Sequence, residues 1–245
     1  MTEQQTPPQS ESVENFLKAV YTLQQQSERV STNTLSETLN ISAPSVTDMA
    51  QRMVAAGMVD YQKYRGVVLT PAGEEIALRI IRRHRLIELY LVEELGYALA
   101  EVHDEAERLE HAVSERFVEA IASRLGQPEF DPHGDPIPTR EGAVMALDQV
   151  PLSELTLGTP AQVARLKATS PEMLQHILDR GFILDSQVEV LDRDPFDGPV
   201  TALIENQKRV VVGHQVAECI YVGVAAAQAV PQALSGSQEN EHDDQ

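Results

Sequence analysis

One cysteine, Cys219, stands in 245 residues, and tryptophan is absent. A lone thiol excludes an internal disulfide and a thiolate zinc cluster within one chain, and it suits a reducing cytoplasm. No apolar run reaches the roughly 18–20 residues of a membrane span. The opening MTEQQTPPQSES has neither the basic nor the apolar region of a signal peptide. These absences predict a cytoplasmic protein without a membrane partner. Cations are also scarce: 19 Lys and Arg face 38 Asp and Glu, a formal net charge of −19. Such a balance argues against nucleic-acid binding only as a global average, because binding depends on local charge. Residues 41–70 hold Arg52, Lys63 and Arg65 against Asp48 and Asp60, so this stretch is locally positive. The acid is concentrated elsewhere, including Glu239, Glu241, Asp243 and Asp244 near the C-terminus.

Hydrophobic residues make up 42% of the chain, enough for a core filled by aliphatic side chains. Val13, Phe16, Leu17, Val20, Tyr21 and Leu23 recur at helical spacing between Ser12 and Gln26. A short helix follows over Thr34–Leu39, behind Ser31. A third starts near Ala43, with Ser42 as N-cap, Pro44 in its first turn and Gly57 at its end. Met58–Tyr61 and Val67–Thr70 read as two strands around Gln62–Gly66. This order is that of a winged helix-turn-helix. Ser42, Pro44, Ser45, Thr47 and Asp48 then lie in the first turns of the helix that enters the major groove, and Lys63, Tyr64 and Arg65 form the wing.

From Pro71 to Leu125 the pattern is helical with an interruption near Gly96, and residues 104–125 read as one helix. The Pro-rich stretch over 126–142 reads as a linker with extended backbone. Short strands are expected at Gln162–Lys167, Gln187–Asp192, Thr201–Ile204, Lys208–Val212 and Ile220–Val224, with a helical insertion over Pro171–Leu178. Together they suggest a small, partly open β-barrel. The whole is mainly α with a C-terminal small β-barrel. The expected divisions are a disordered tail over 1–11, a winged-helix domain over 12–73, a helical domain with its Pro-rich linker over 74–142, a β domain over 155–226 and an acidic disordered tail over 227–245.

The densest chemistry lies in the middle. His84 and Glu88 are four residues apart, and His103, Glu107, Glu110 and His111 follow at i, i+4, i+7 and i+8, so each set shares one helical face. Imidazole and carboxylate are the ligands a first-row divalent metal takes where no thiolate is offered, and two such faces packed together can hold one or two ions. The same residues also fit a solvated face paired with Arg83, Arg85 or Arg108. No HExxH, Gly-rich phosphate loop or Ser/His/Asp signature accompanies them, so an enzyme is not expected. His133, in the Pro-rich stretch, stands apart. Leu109, Val113, Phe117 and Ile121 make an apolar stripe that suits a dimer seam or an internal core.

RRHRLIELYLVEELGYALAEVHDEAERLEHAVSE resembles the metal-binding and dimerisation region of the diphtheria toxin repressor family. SAPSVTDMAQRMVAAGMV resembles its recognition helix, YRGVVLTPAG its wing, HGDPIP its loop after the dimerisation helices and LDSQVEVLDRD its SH3-like domain. The resemblance implies a homodimeric transcriptional repressor that binds a double-stranded DNA operator when loaded with Mn²⁺ or Fe²⁺, two ions per chain. One site would use His84, Glu88 and His103. The other would use Glu107, Glu110 and His111 with a first-helix group, Asn15 or the adjacent Glu14. The SH3-like domain would lend Glu172 and Gln175 to the first site. Glu107 stands where iron-type members carry cysteine, which points to manganese. The family's anion position uses Arg85, here flanked by Asp131 and Asp135. The competing readings are a winged-helix regulator answering an organic ligand and a metalloenzyme.

Overall fold

The computed structural model describes residues 10–224. The expected acidic tail over 227–245 and all but the last two residues of the expected N-terminal tail lie outside the described residues. Helix α1 (Glu11–Gln24) turns Val13, Phe16, Leu17 and Val20 inward. Helix α2 (Thr32–Leu39) is capped by the Ser31 hydroxyl, which accepts from Thr34 N, and ends at Asn40 in the left-handed region. Helix α3 (Ala43–Ala55) is capped by Ser42, carries Pro44 in its first turn and buries Val46, Ala50 and Met53. Strands β1 (Val59–Gln62) and β2 (Gly66–Leu69) pair antiparallel with Gln62 opposite Gly66. The wing tip is therefore three residues, shorter than the five expected. Gly66 has φ +99°, and a Cβ there would stand 2.3 Å from the Val30 carbonyl oxygen. That close approach lets Val30 bridge to Val67 and close the sheet onto α1 and α2.

Helix α4 (Pro71–Leu95) runs unbroken for 25 residues from a Thr70 N-cap to Gly96, which has φ +72°. Its early residue Ala77 joins the winged-helix core, and Leu86, Ile87, Leu89 and Leu91 join a second core with α5 (Val102–Glu110) and α6 (Glu115–Arg124). The single helix expected over 104–125 is thus two. The chain turns at His111–Val113, and Ser114 restarts it as an N-cap accepting from Phe117 N. A Ser cap satisfies a helix start that an uninterrupted helix would not need. The apolar stripe is divided by this turn: Ile121 is buried while Phe117 is exposed.

Residues 126–142 are not an extended linker. Phe130 bridges to Pro136, and Asp131, Gly134, Pro136, Ile137 and Pro138 are buried. Arg82 and Arg85 of α4 donate to the carbonyls of Pro138 and Pro136. The Leu166 amide donates to the His133 carbonyl, so the segment is a packed connector. Proline removes donors but leaves carbonyls, and here the buried Arg82 and the half-buried Arg85 satisfy two of them.

The C-terminal unit is an antiparallel sheet of β3 (Val150–Pro151), β4 (Pro160–Leu166), β5 (Gln187–Arg193), β6 (Val200–Ile204), β7 (Lys208–Val212) and β8 (Ile220–Val224). The strand order is β3-β8-β4-β5-β6-β7. Irregular register in β4 after Val163 and in β5 after Val190 bends the sheet around a core that includes Leu152, Val163, Phe182, Val190, Ala202 and Val222. Helix α7 (Pro171–Arg180) is the expected insertion, and α8 (His214–Glu218) and β3 are short elements without a periodic signature.

Candidate metal centre

Helix α4 turns His84 and Glu88, one turn apart, toward α5, and both are buried. From α5, His103 reaches the same point. His84 Nε2 is 2.9 Å from Glu88 Oε1 and 3.1 Å from His103 Nδ1, and His103 Nδ1 is 3.1 Å from Glu88 Oε1. Ligand atoms about 2.1 Å from one ion, and at right angles to one another, stand about 3.0 Å apart. The triangle therefore fits a divalent ion, and protons hold it in the same geometry. On its far side His84 Nδ1 lies 2.5 Å from Glu110 Oε2. A carboxylate there keeps the proton on Nδ1 and leaves Nε2 for a metal.

The charges agree. Burial alone would raise the Glu88 carboxyl, but hydrogen bonds from His103 and His84 outweigh it and hold the acid well below the usual range. Burial would lower His84, yet its hydrogen bonds to Glu110 and Glu88 raise it. The two carboxylates thus favour the protonated form of His84, and a metal ion bound at Nε2 would require the proton on that nitrogen to leave.

A second cluster adjoins the first. His84 Nδ1, Glu107 and Glu110 offer atoms within 4.8 Å of one another. A neutral imidazole has one lone pair, so His84 cannot serve this group and the triangle together. The imidazole that remains is His111, at the C-terminal end of α5. Its Nε2 is 2.9 Å from Asn15 Oδ1 and 3.4 Å from Glu110 Oε1, and its Nδ1 is 2.6 Å from Glu14 Oε2. Asn15 thus faces the cluster, while Glu14 takes the orienting place behind His111 that Glu110 takes behind His84. Arg83 donates to the Glu110 carbonyl and to Glu115, bracing the end of α5. At the centre is a residue the helical spacing did not single out. Lys18 Nζ lies 2.9 Å from Glu107 Oε1, 2.9 Å from Glu110 Oε1 and 3.1 Å from Glu110 Oε2. Burial opposes ionisation of both acids, and Lys18 overcomes it for Glu107, as His84 and Lys18 do for Glu110, so both sit below the usual range. Lys18 is one turn beyond Glu14 on α1, a spacing that would have found it.

His133 also joins the neighbourhood, with Nε2 3.9 Å from Glu88 Oε1. Its connector has no helical or strand periodicity, so its sequence does not place it here. Around it, Arg85 Nε lies 3.5 Å from Asp131 Oδ2, and Arg85 Nη2 and Arg165 Nη1 lie 3.6 and 3.3 Å from Asp135 Oδ1. Carboxylates of the chain itself therefore fill the expected anion position. Burial, then the charges of Asp135 and Glu88, pushes Asp131 up to about 7. A cleft of about 750 Å³ opens beside the triangle, between the helices and β4, lined by Lys18, Tyr21, His84, His103, Arg165 and Leu174 among others. The expected contribution of Glu172 and Gln175 is not found in this arrangement. Both are exposed on α7. Gln175 donates to Asp179, and the Glu172 carboxyl is lowered by local bonds with Ser170 and its own backbone.

At the other end of the helical body, Ser42, Pro44, Ser45 and Asp48 are exposed along the start of α3. The half-buried Thr47 donates its hydroxyl to the Ala43 carbonyl. Lys63, Tyr64 and Arg65 project from the wing; Tyr64 is 93% exposed, with the Lys63 ammonium 5.0 Å from its ring. Arg29 supports the wing from below, bonding Asp60 and the Gly66 carbonyl.

Three family models match in succession: "Iron dependent repressor, N-terminal DNA binding domain" over residues 9–67, "Iron dependent repressor, metal binding and dimerisation domain" over 70–139, and "FeoA domain" over 150–224. Similar solved structures include a manganese-dependent transcriptional repressor in complex with manganese, with TM-score 0.80 and 39% identity over 86% of this chain and 98% of that one. The manganese regulator SloR gives TM-score 0.71 and 30% identity over 86% and 98% of the two chains. The iron-dependent repressor IdeR of Mycobacterium tuberculosis is 29% identical over 86% of this chain and 96% of its own. The winged helix, the histidine–carboxylate centre and the bent sheet occur here in the order of these matches, and the chain belongs to the diphtheria toxin repressor family of metal-dependent, DNA-binding transcriptional repressors.

Proposed function

We propose that this chain is a cytoplasmic manganese-responsive repressor, with Fe²⁺ as the alternative ion, that binds operator DNA as a homodimer and takes two ions per chain. The observation that carries this is the triangle of His84, Glu88 and His103, with Glu110 bonded behind His84. The DNA-binding unit spans 12–73, the metal-binding and dimerisation unit 74–142 and the SH3-like unit 155–226. Once bound, a divalent ion supplies a fixed positive charge that joins α4 to α5. His84, Glu88 and His103 hold the first ion; Glu107, Glu110 and His111, with Asn15 from α1, surround the second. Glu107 offers hard oxygen where a thiolate would favour softer, later metals, which supports manganese. Metal changes DNA affinity only if it favours the DNA-competent form. Contacts between α1 and α5 serve that end, because they set the winged helix against the dimer body and so set the spacing of two recognition helices. Half-sites lie about 34 Å apart or a multiple of it, so small rotations matter. Ser42, Pro44, Ser45, Thr47 and Asp48 face base edges and phosphates, and Lys63, Tyr64 and Arg65 face the backbone.

The deciding experiment titrates metal-free protein with Mn²⁺, Fe²⁺ and Zn²⁺ while following binding to the DNA upstream of its own gene. Affinity should rise steeply with Mn²⁺ or Fe²⁺ and collapse with chelator. Equal affinity of metal-free and metal-loaded protein would overturn the proposal.

A further inference from the structure

We propose that Lys18 is a tethered cation that occupies the second centre in place of a divalent ion, so that a metal enters there only by displacing it. The inference rests on the metal-responsive reading above and adds an order of loading to it.

The Lys18 ammonium meets three of the four carboxylate oxygens of Glu107 and Glu110 at 2.9–3.1 Å. Those are the oxygens a second ion would need, and an ammonium has three donors to give them. His84 Nδ1, 3.2 Å from Lys18 Nζ, cannot accept from it while bonded through a proton to Glu110. The lysine is therefore committed to the two acids. It is held there by its position on α1: Glu14 and Asn15 of the same helix bond His111, and the Lys18 side chain is only 16% exposed. An ion bound to Glu107 and Glu110 would share oxygens with the ammonium and stand within a few ångströms of it. Two cations in so small a space repel strongly, more so away from bulk water. One of them must leave.

Lys18 has a place to go. It lines the cleft beside the triangle together with Tyr21, Thr22 and Gln25 of the same helix. A long, flexible stem can swing its ammonium into that space without moving α1. The first centre is different: its three ligand atoms face one another with no lysine among them. It fills first, and the second fills only at metal concentrations that overcome the lysine. Without metal, Lys18 ties α1 to α5 through a single charge, and an ion held by Glu107, Glu110, His111 and Asn15 would replace that tie with a doubly charged one.

The test is Mn²⁺ binding to the full chain, metal-free at the start, measured by competition with a chromophoric chelator and by the electron paramagnetic resonance of free Mn²⁺. Wild type should show two classes of site at least tenfold apart in affinity. Lys18→Met, which keeps the stem and removes the charge, should tighten the weaker class at least tenfold and leave the tighter class within threefold. Lys18→Gln carries the same comparison if the methionine variant does not fold, and Lys18→Arg should keep the weak class weak. His103→Ala should remove the tight class alone. Two equal classes in wild type, or a weaker class that Lys18→Met leaves unchanged or weakens further, would overturn the role of Lys18 and leave the metal-responsive reading standing. Absence of any Mn²⁺ binding in wild type and in Lys18→Met would overturn both.

Discussion

Glu110 stands directly behind His84: its Oε2 lies 2.5 Å from Nδ1, while Nε2 of the same ring faces Glu88 and His103. One carboxylate thus bonds both the imidazole of the triangle and the Lys18 ammonium of the neighbouring cluster. Glu110→Gln is expected to weaken the first centre by about 10–100-fold, the usual effect of losing such an orienting group, although Glu110 contributes no atom to the triangle. Chelator competition on the variant measures this, and a first-site affinity within threefold of wild type would sink the idea.

On the proposed reading, Glu107 sets the choice of metal. Its side chain is 45% exposed, so a smaller residue opens no buried cavity. Glu107→Cys should lower the response to Mn²⁺ relative to Fe²⁺, Co²⁺ or Ni²⁺, because a thiolate favours softer and later ions. The comparison is the activation midpoint for each metal in variant and wild type, read by DNA binding. An unchanged ranking would remove Glu107 from the selectivity argument.

The wing and the recognition helix should separate in their effects. Lys63→Ala and Arg65→Ala should each weaken binding to all DNA sequences alike and reduce the salt slope by about one. Ser45→Ala should instead shift sequence preference. The Ser45 amide that bonds the Ser42 cap is backbone and survives the change, so the helix start is kept. Salt titrations on operator and scrambled DNA distinguish the two patterns, and a loss confined to one operator base pair in Arg65→Ala would contradict a phosphate contact.

Asp131 gives the fold a pH dependence of definite sign. Burial and the neighbouring Asp135 and Glu88 push its carboxyl up to about 7 in the folded chain, against about 3.9 when unfolded. The folded state therefore binds the proton more tightly. The stability it contributes is complete below the unfolded value and is lost as pH rises through about 7. Asp131→Asn keeps an oxygen for the amides of His133 and Asp135. In the metal-free protein the variant should gain melting temperature over wild type at pH 8 and show little gain at pH 5, at about 2–4 °C per kcal/mol. Equal differences at the two pH values would show that Asp131 does not titrate in this range.

The sequence carried the helical half of this architecture well, because apolar spacing ran through α1 to α4, Ser31 and Ser42 capped α2 and α3, and Gly57 and Gly96 followed α3 and α4. It carried α5 and α6 less well. The ligand spacing from His103 is complete at His111, where the turn begins, so nothing in it demands a break, and the Ser114 cap is the signal that marks it. The connector misled for a different reason: proline-rich composition describes what the backbone cannot donate, whereas its packing comes from Arg82 and Arg85 far away in the chain. His84, Glu88 and His103 were legible because they obey helical periodicity. Lys18 and His133 enter through tertiary packing, and only the first has a local spacing that betrays it.

Helix α4 deserves to be seen as a beam. At its start, the Thr70 amide and hydroxyl bond the carbonyls of Met58 and Gly57, and a Cβ on Gly73 would stand 2.0 Å from the Met58 oxygen. That end is clamped to the chain just leaving α3. His84 lies about 20 Å further along at 1.5 Å per residue. Across that length a tilt of about 5° becomes a displacement of nearly 2 Å, with no hinge between. A shift of a few tenths of an ångström at His84 then corresponds to a tilt of about 1° at the clamped end, where α4 meets the chain leaving α3. The beam also works in reverse: whatever holds the chain leaving α3 in place also steadies the far end, where His84 faces Glu88 and His103.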